Sequence, residues 1–254
     1  MLFLGFDVLF WAVIWILALV LTLFLLRGVS KFPFKRKYHM VYIAFLSLFC
    51  IISIVNAFAY LGGEVTAYVD RVVFRYYFAP IFVALGYHFS LYFVMNALTR
   101  SQKFTLYAVY FAALFFTLAF LVDSSLMVAG GREGLFGQII IRPGPMAYLY
   151  AIYITLALLF IVRAFFVYYK NHQSPFVKQQ TLYLLLGMLL IIGGSLAANI
   201  LRFDPSSIGF NPAAILAILG ISLQIIGVRK HWFEAIELAQ IPAKAKKDYV
   251  LFLD

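Results

Sequence analysis

Charge is the scarcest property of this chain. Only 12% of its 254 residues are charged, with 10 Asp and Glu against 20 Lys and Arg, while 65% are hydrophobic. A soluble globular domain carries about 25% charged residues. Together with a mean hydropathy of +0.98, that shortfall excludes the soluble class and leads to the expectation of a polytopic membrane protein. The one cysteine, Cys50, lies inside an apolar run, so no intramolecular disulfide can form. No carboxylate falls near the middle of a long apolar run. Proton-coupled transport and intramembrane aspartyl proteolysis therefore lack their usual acid and base. The last apolar run has no lysine to hold retinal. His39, His172 and His231 have no Cys or acidic neighbour at ligand spacing, so neither a metal nor another cofactor is expected. A Gly-rich phosphate loop, a nucleophile elbow and a kinase motif are all missing, and the chain reads as non-catalytic.

What is present is a series of apolar runs. Each needs about 20 residues to cross about 30 Å of hydrocarbon. Seven can be laid out, at Leu2 to Leu26, Met40 to Leu61, Phe78 to Leu98, Phe104 to Val122, Met146 to Phe166, Thr181 to Leu201 and Pro212 to Val228. The first has no preceding basic residue and no small-residue cleavage site, so it is expected to remain as a span rather than leave as a signal peptide.

The connections set an expected orientation. Arg27, Lys31, Lys35, Arg36, Lys37, Arg100, Lys103, Lys170, Lys178, Arg229, Lys230, Lys244, Lys246 and Lys247 place 14 cations on one side. Across from them are Arg71, Arg75, Arg132, Arg142 and Arg202, mixed with Asp7, Glu64, Asp70, Asp123, Glu133 and Asp204. The positive-inside bias puts the N-terminus outside and the C-terminus in the cytoplasm. The expected fold is an all-α bundle of seven transmembrane helices over 1–228, with an exit helix and linker over 229–254. Charge arranged this way points to membrane topology and anionic lipid, and no nucleic-acid partner is expected.

The loop from Asp123 to Pro145 contains Gly130, Gly131, Gly134 and Gly137, then β-favouring residues from Gln138 to Arg142 and the turn Pro143, Gly144, Pro145. A short external β-hairpin over the bundle is expected there. No internal repeat is evident, which counts against a transporter built from repeated halves.

Polar groups inside spans must find a partner or water, so they mark sites. His88, Tyr92 and Asn96 recur at helical spacing on the third run, and Asn56, Asn199 and Gln224 sit within other runs. With Tyr148 and Tyr153 they are the candidate lining of a small-molecule pocket. Isolated polar residues of this kind also serve simply as interhelical hydrogen bonds worth about 1 kcal/mol. Gly187, Gly194 and Ala198 on the sixth run and Ala217 and Gly220 on the seventh have spacings that allow two backbones to approach, making them candidates for close packing and signal transmission.

The chain leaves the last run through Arg229, Lys230, His231, Trp232 and Phe233, a basic and aromatic interface anchor, and the helix is expected to stop near Pro242. Gly144, Pro145, Tyr148 and Tyr153, followed by Val177, Lys178, Gln179 and Gln180, resemble the N-terminal seven-helix region of bacterial and archaeal membrane histidine kinases. Ile241, Pro242 and Ala243 and the closing Val250 to Asp254 resemble the link by which that region joins a PAS or kinase module. The resemblance implies a multi-pass sensor in a prokaryotic inner membrane. It would bind a small external or bilayer-dissolved ligand and signal to a cytoplasmic effector, across a homodimer. The phosphoacceptor helix and ATP-binding domain of that family lie outside these residues. A small transporter or channel is the alternative, and a membrane scaffold is a third reading.

Overall fold

The computed structural model describes residues 2–30, 37–60, 65–94, 98–133, 139–171, 175–199 and 212–240. Its long helices are α1 (Leu2–Ser30), α2 (Lys37–Tyr60), α3 (Val65–Val94), α4 (Arg100–Val122) and α5 (Ala147–Asn171). After them come α6 (Pro175–Met188), a π-helical turn at Leu189–Gly193, α7 (Gly194–Asn199) and α8 (Pro212–Gln240). Among the described residues six helices are long and apolar enough to cross a membrane, and Ala213–Val228 within α8 is a shorter apolar stretch. The outer surface carries bulky apolar groups, with Phe104 and Phe111 each 75% exposed and Val122 86% exposed. Water would penalise such a surface, whereas hydrocarbon does not. The chain is a multi-pass helical membrane protein.

Neighbouring helices close into a ring: α1 packs on α2, α2 on α3, α3 on α5, α5 on α6, α6 on α8 and α8 back on α1. Helix α4 lies outside this ring, packed mainly on α3. It starts with a capping box, in which Thr99 Oγ1 accepts from the Gln102 N–H at 3.3 Å and Gln102 Oε1 accepts from the Thr99 N–H at 2.8 Å.

Pro80 stands inside α3 and has no N–H to offer the preceding turn. Neighbouring helices hydrogen-bond carbonyls on either side of this break. Thr117 of α4 donates to Tyr77 O at 3.1 Å, and Tyr153 of α5 donates to Pro80 O at 2.9 Å. In hydrocarbon a carbonyl cannot turn to water, so these two hydroxyls stabilise a helix that proline would otherwise weaken.

Between α4 and α5 the chain forms a short hairpin, β1 (Val128–Glu133) antiparallel to β2 (Ile139–Pro143), with a bulge between Val128 and Gly130. Gly130 adopts φ of 140°, a region that disfavours residues with a Cβ. At the base Gly144 N–H donates to Met127 O at 2.7 Å and Met146 N–H donates to Leu126 O at 2.9 Å. Gly144 is packed so tightly on the carbonyls of Ser125 and Leu126 that no side chain would fit. Ahead of the hairpin, hydrogen bonds from Ser125 hold the Asp123 carboxyl below the usual carboxylate range. The hairpin packs on α3 and marks one end of the bundle.

Two element boundaries differ from the sequence reading. Helix α3 begins at Val65 rather than Phe78, because its first turns contain Asp70, Arg71 and Arg75 and so fall outside an apolar run. The sixth run is one helical rod interrupted by the π turn, which ends at the Gly193–Gly194 pair. Arg163 sits inside a span and so escaped the loop count; it is exposed on α5, about two turns from Asn171.

The crossing of α6 and α8 in the ring is close. A Cβ placed on Gly187 would stand 2.6 Å from Gly220 O, and one on Gly220 would stand 2.6 Å from Gly187 O. Backbone atoms on both sides leave no flexible group to give way. Gly187→Val is expected to lower folding stability by about 1–3 kcal/mol, the usual cost of overpacking. Thermal unfolding of the detergent-solubilised protein checks this, and an unchanged midpoint would refute the crossing.

Candidate functional site

The ring encloses a cavity of about 50 Å³. Most of the ring contributes to its wall: Trp15 from α1, Phe49, Ile52 and Asn56 from α2, Tyr76, Ala79, Phe82 and Val83 from α3, and Tyr150 and Ile154 from α5. The π turn adds Ile191 and Ile192, α7 adds Ser195, and α8 adds Ala213 and Ala217. Among the described residues α4, which lies outside the ring, supplies nothing, and neither does α6.

The wall is graded. Asn56, Tyr150, Ser195 and Ala213 lie within about one turn of the helix ends nearest the hairpin, and the polar groups Asn56, Tyr150 and Ser195 are among them. Deeper in the helices come Phe49, Phe82, Val83, Ile191 and Ala217, all apolar. Trp15 is 5% exposed, and its Nε1 has no hydrogen-bond partner among the described residues. A buried donor without an acceptor is costly and rare.

Size limits what this space can hold. A dry cavity of about 150 Å³ takes benzene. One of about 50 Å³ takes roughly three waters or a very small solute, and a larger guest has to displace a wall. Ile191 and Ile192 belong to the one stretch of wall that departs from regular α-helix. Single π turns inside α-helices recur at functional sites.

Beyond the deep end an aromatic column joins the cavity to α8. Phe49 and Phe82 stack with centroids 5.6 Å apart, Phe82 and Phe45 at 4.3 Å, Phe45 and Tyr42 at 6.2 Å, and Tyr42 and Phe89 at 4.5 Å. Tyr42 then donates its hydroxyl hydrogen to Gln224 Oε1 of α8 at 2.6 Å. Gln224 is fully buried, and its Nε2 has no partner among the described residues.

The residues singled out in the sequence are distributed over three places. His88 Nδ1 lies 2.9 Å from the Tyr110 hydroxyl, and its ring is 4.6 Å from that of Tyr92. This polar seam joins α3 to α4 and does not border the cavity. Tyr153 bonds Pro80 O, and Gln224 bonds Tyr42. Tyr148 is 59% exposed on the outside of α5. Asn96 lies outside the described residues, as do the side chains of Ala198 and Asn199.

Gly187 and Gly220 meet at the α6–α8 crossing, Gly194 is packed against Leu216 of α8, and Ala217 lines the cavity. Trp15 and Ser195 were not picked out as lining; Asn56 was, as a polar residue within a span, and Tyr76 and Tyr150 stood among the tyrosines of which a buried subset could form a cavity, while Gly193–Gly194 inside an apolar run was a usable hint of the π turn. Among the described residues no group of three His, Cys, Asp or Glu could hold a metal ion.

No known family model matches the chain, and neither curated proteins nor solved structures give a match to it.

Tyr42→Phe leaves the fully buried Gln224 amide without its hydroxyl donor and is expected to cost about 1–3 kcal/mol. Adding Gln224→Leu should return part of that loss, giving a coupling of about 1 kcal/mol in a double-mutant cycle. Additive effects in thermal unfolding would show that the two side chains do not interact.

Proposed function

We propose that this chain is a membrane sensor module whose ligand occupies the ring cavity and whose output is a movement of α8. One observation carries the reading: the irregular π turn that walls the cavity is continuous with α6 and α7, and both are packed tightly on α8. A guest too large for the resting space presses on Ile191 and Ile192. The displaced turn then bears on α8 through Gly194 against Leu216 and through the Gly187–Gly220 crossing. The aromatic column and the Tyr42–Gln224 bond supply a second link from the cavity to the same helix. Only a differential affinity of the ligand for two packings is required.

In this reading Ala213–Val228 is the seventh span, the N-terminus lies outside, and α8 continues into the cytoplasm toward an effector. The resemblance of Gly144, Pro145, Tyr148 and Tyr153 and of Val177 to Gln180 to the sensor region of prokaryotic membrane histidine kinases supports a PAS or kinase module as that effector. A homodimer in the inner membrane fits the same picture.

Ala217→Leu should imitate a bound guest, because the added carbons enter the cavity. Spin labels at Phe166 of α5 and Ile226 of α8, both exposed positions, in a Cys50→Ser background, report the separation of the two helices. The substitution is expected to shift that distance by about 1–2 Å, the scale of helix shifts in signalling proteins. An unchanged distance would sink the helix-shift reading, and solute flux through liposomes carrying the protein would favour a transporter instead.

A further inference from the structure

Trp15 presents an unfilled requirement at the cavity wall. Its indole lines the cavity, it is 5% exposed, and its Nε1 is buried without a partner among the described residues. An indole N–H can only donate. The group that completes it must therefore be an acceptor. None of the described wall side chains is charged, so among them a charged guest would lose its hydration without a counter-charge, at a prohibitive cost. Phe49, Phe82, Val83 and Ile191 give the deep end an apolar lining suited to a hydrocarbon body.

We infer that the cavity ligand is a small neutral molecule with an apolar body and one hydrogen-bond acceptor, such as an ether or ketone oxygen, which accepts from Trp15 Nε1. The inference rests on the sensor reading for its biological meaning, since it names the ligand class of the same cavity. It adds a specificity-determining residue: Trp15 separates guests of equal size by whether they carry an acceptor. Water can satisfy the same N–H but leaves the apolar wall uncovered, so an apolar guest with an oxygen displaces it favourably.

Dimethyl ether and propane test this directly, because they differ only by oxygen in place of methylene. The full chain in lipid nanodiscs is titrated with each, at matched activity, and binding is read from the shift in unfolding midpoint followed by circular dichroism. The wild-type protein is expected to hold the ether about tenfold more tightly than propane, as follows from satisfying a buried donor. Trp15→Phe keeps an aromatic ring but removes the N–H, and should erase the preference of the ether over propane. A second readout does not depend on that variant folding. In a protein retaining only Trp15, with Trp11→Phe and Trp232→Phe, the ether and not propane should shift the indole emission to the red.

Equal binding of the two gases by the wild-type protein, with no difference in emission, overturns the acceptor inference and leaves the cavity as a binding site. An ether preference that survives Trp15→Phe overturns the role of Trp15 in the same way. Failure of both gases to bind overturns the inference together with the cavity as a ligand site. The α5–α8 distance in Ala217→Leu remains the separate test of helix movement.

Discussion

Closure of the helix ring depends on the contact between α6 and α8. Gly187 and Gly220 let each backbone come so near the other that a single added carbon would stand 2.6 Å from a carbonyl oxygen. Lipid tails offer helices no hydrophobic reason to associate, so such close packing is what holds them together. Without it α8 could not sit between α6 and α1, and the cavity would lose the wall formed by Ala213 and Ala217. The same contact binds the irregular turn at Leu189–Gly193 to the helix that leaves the bundle.

Satisfaction of polar groups explains most of the remaining interior. Pro80 removes a donor from α3, and hydroxyls from Thr117 and Tyr153 serve neighbouring carbonyls. Thr22 and Thr181 return their hydroxyls to their own helices at Ala18 O and Val177 O. Tyr42 and Gln224 meet across the ring. Trp15 Nε1 at the cavity is a buried donor without a partner among the described residues. It is a place at the cavity wall where the described residues leave a hydrogen bond for something else to make.

The polar seam of His88, Tyr92 and Tyr110 shows how helix position changes the meaning of a residue. Its spacing on α3 is that of a face directed at another helix, and the structure supplies that helix. The partner is α4, however, which lies outside the ring. The residues therefore join two helices, and they are separate from the cavity on the other side of α3.

Much of the architecture was legible in the residues alone. Apolar runs of spanning length, broken by basic connections, required a helical membrane protein, because no other chain composition can leave water for hydrocarbon so cheaply. The glycines between Asp123 and Pro145 and the β-favouring Gln138 to Arg142 announced the hairpin. Small residues at Gly187, Gly194 and Gly220 announced where helices would touch. Hydropathy could not find the polar first turns of α3 or the π turn, since it registers neither helix outside the membrane nor hydrogen-bond register within it. Nor could spacing on one helix tell which neighbour a face would meet. That was decided by the order in which the helices close into a ring, leaving α4 outside, so only the tertiary structure brought Trp15, Asn56, Tyr150 and Ile191 to one cavity from helices far apart in the chain.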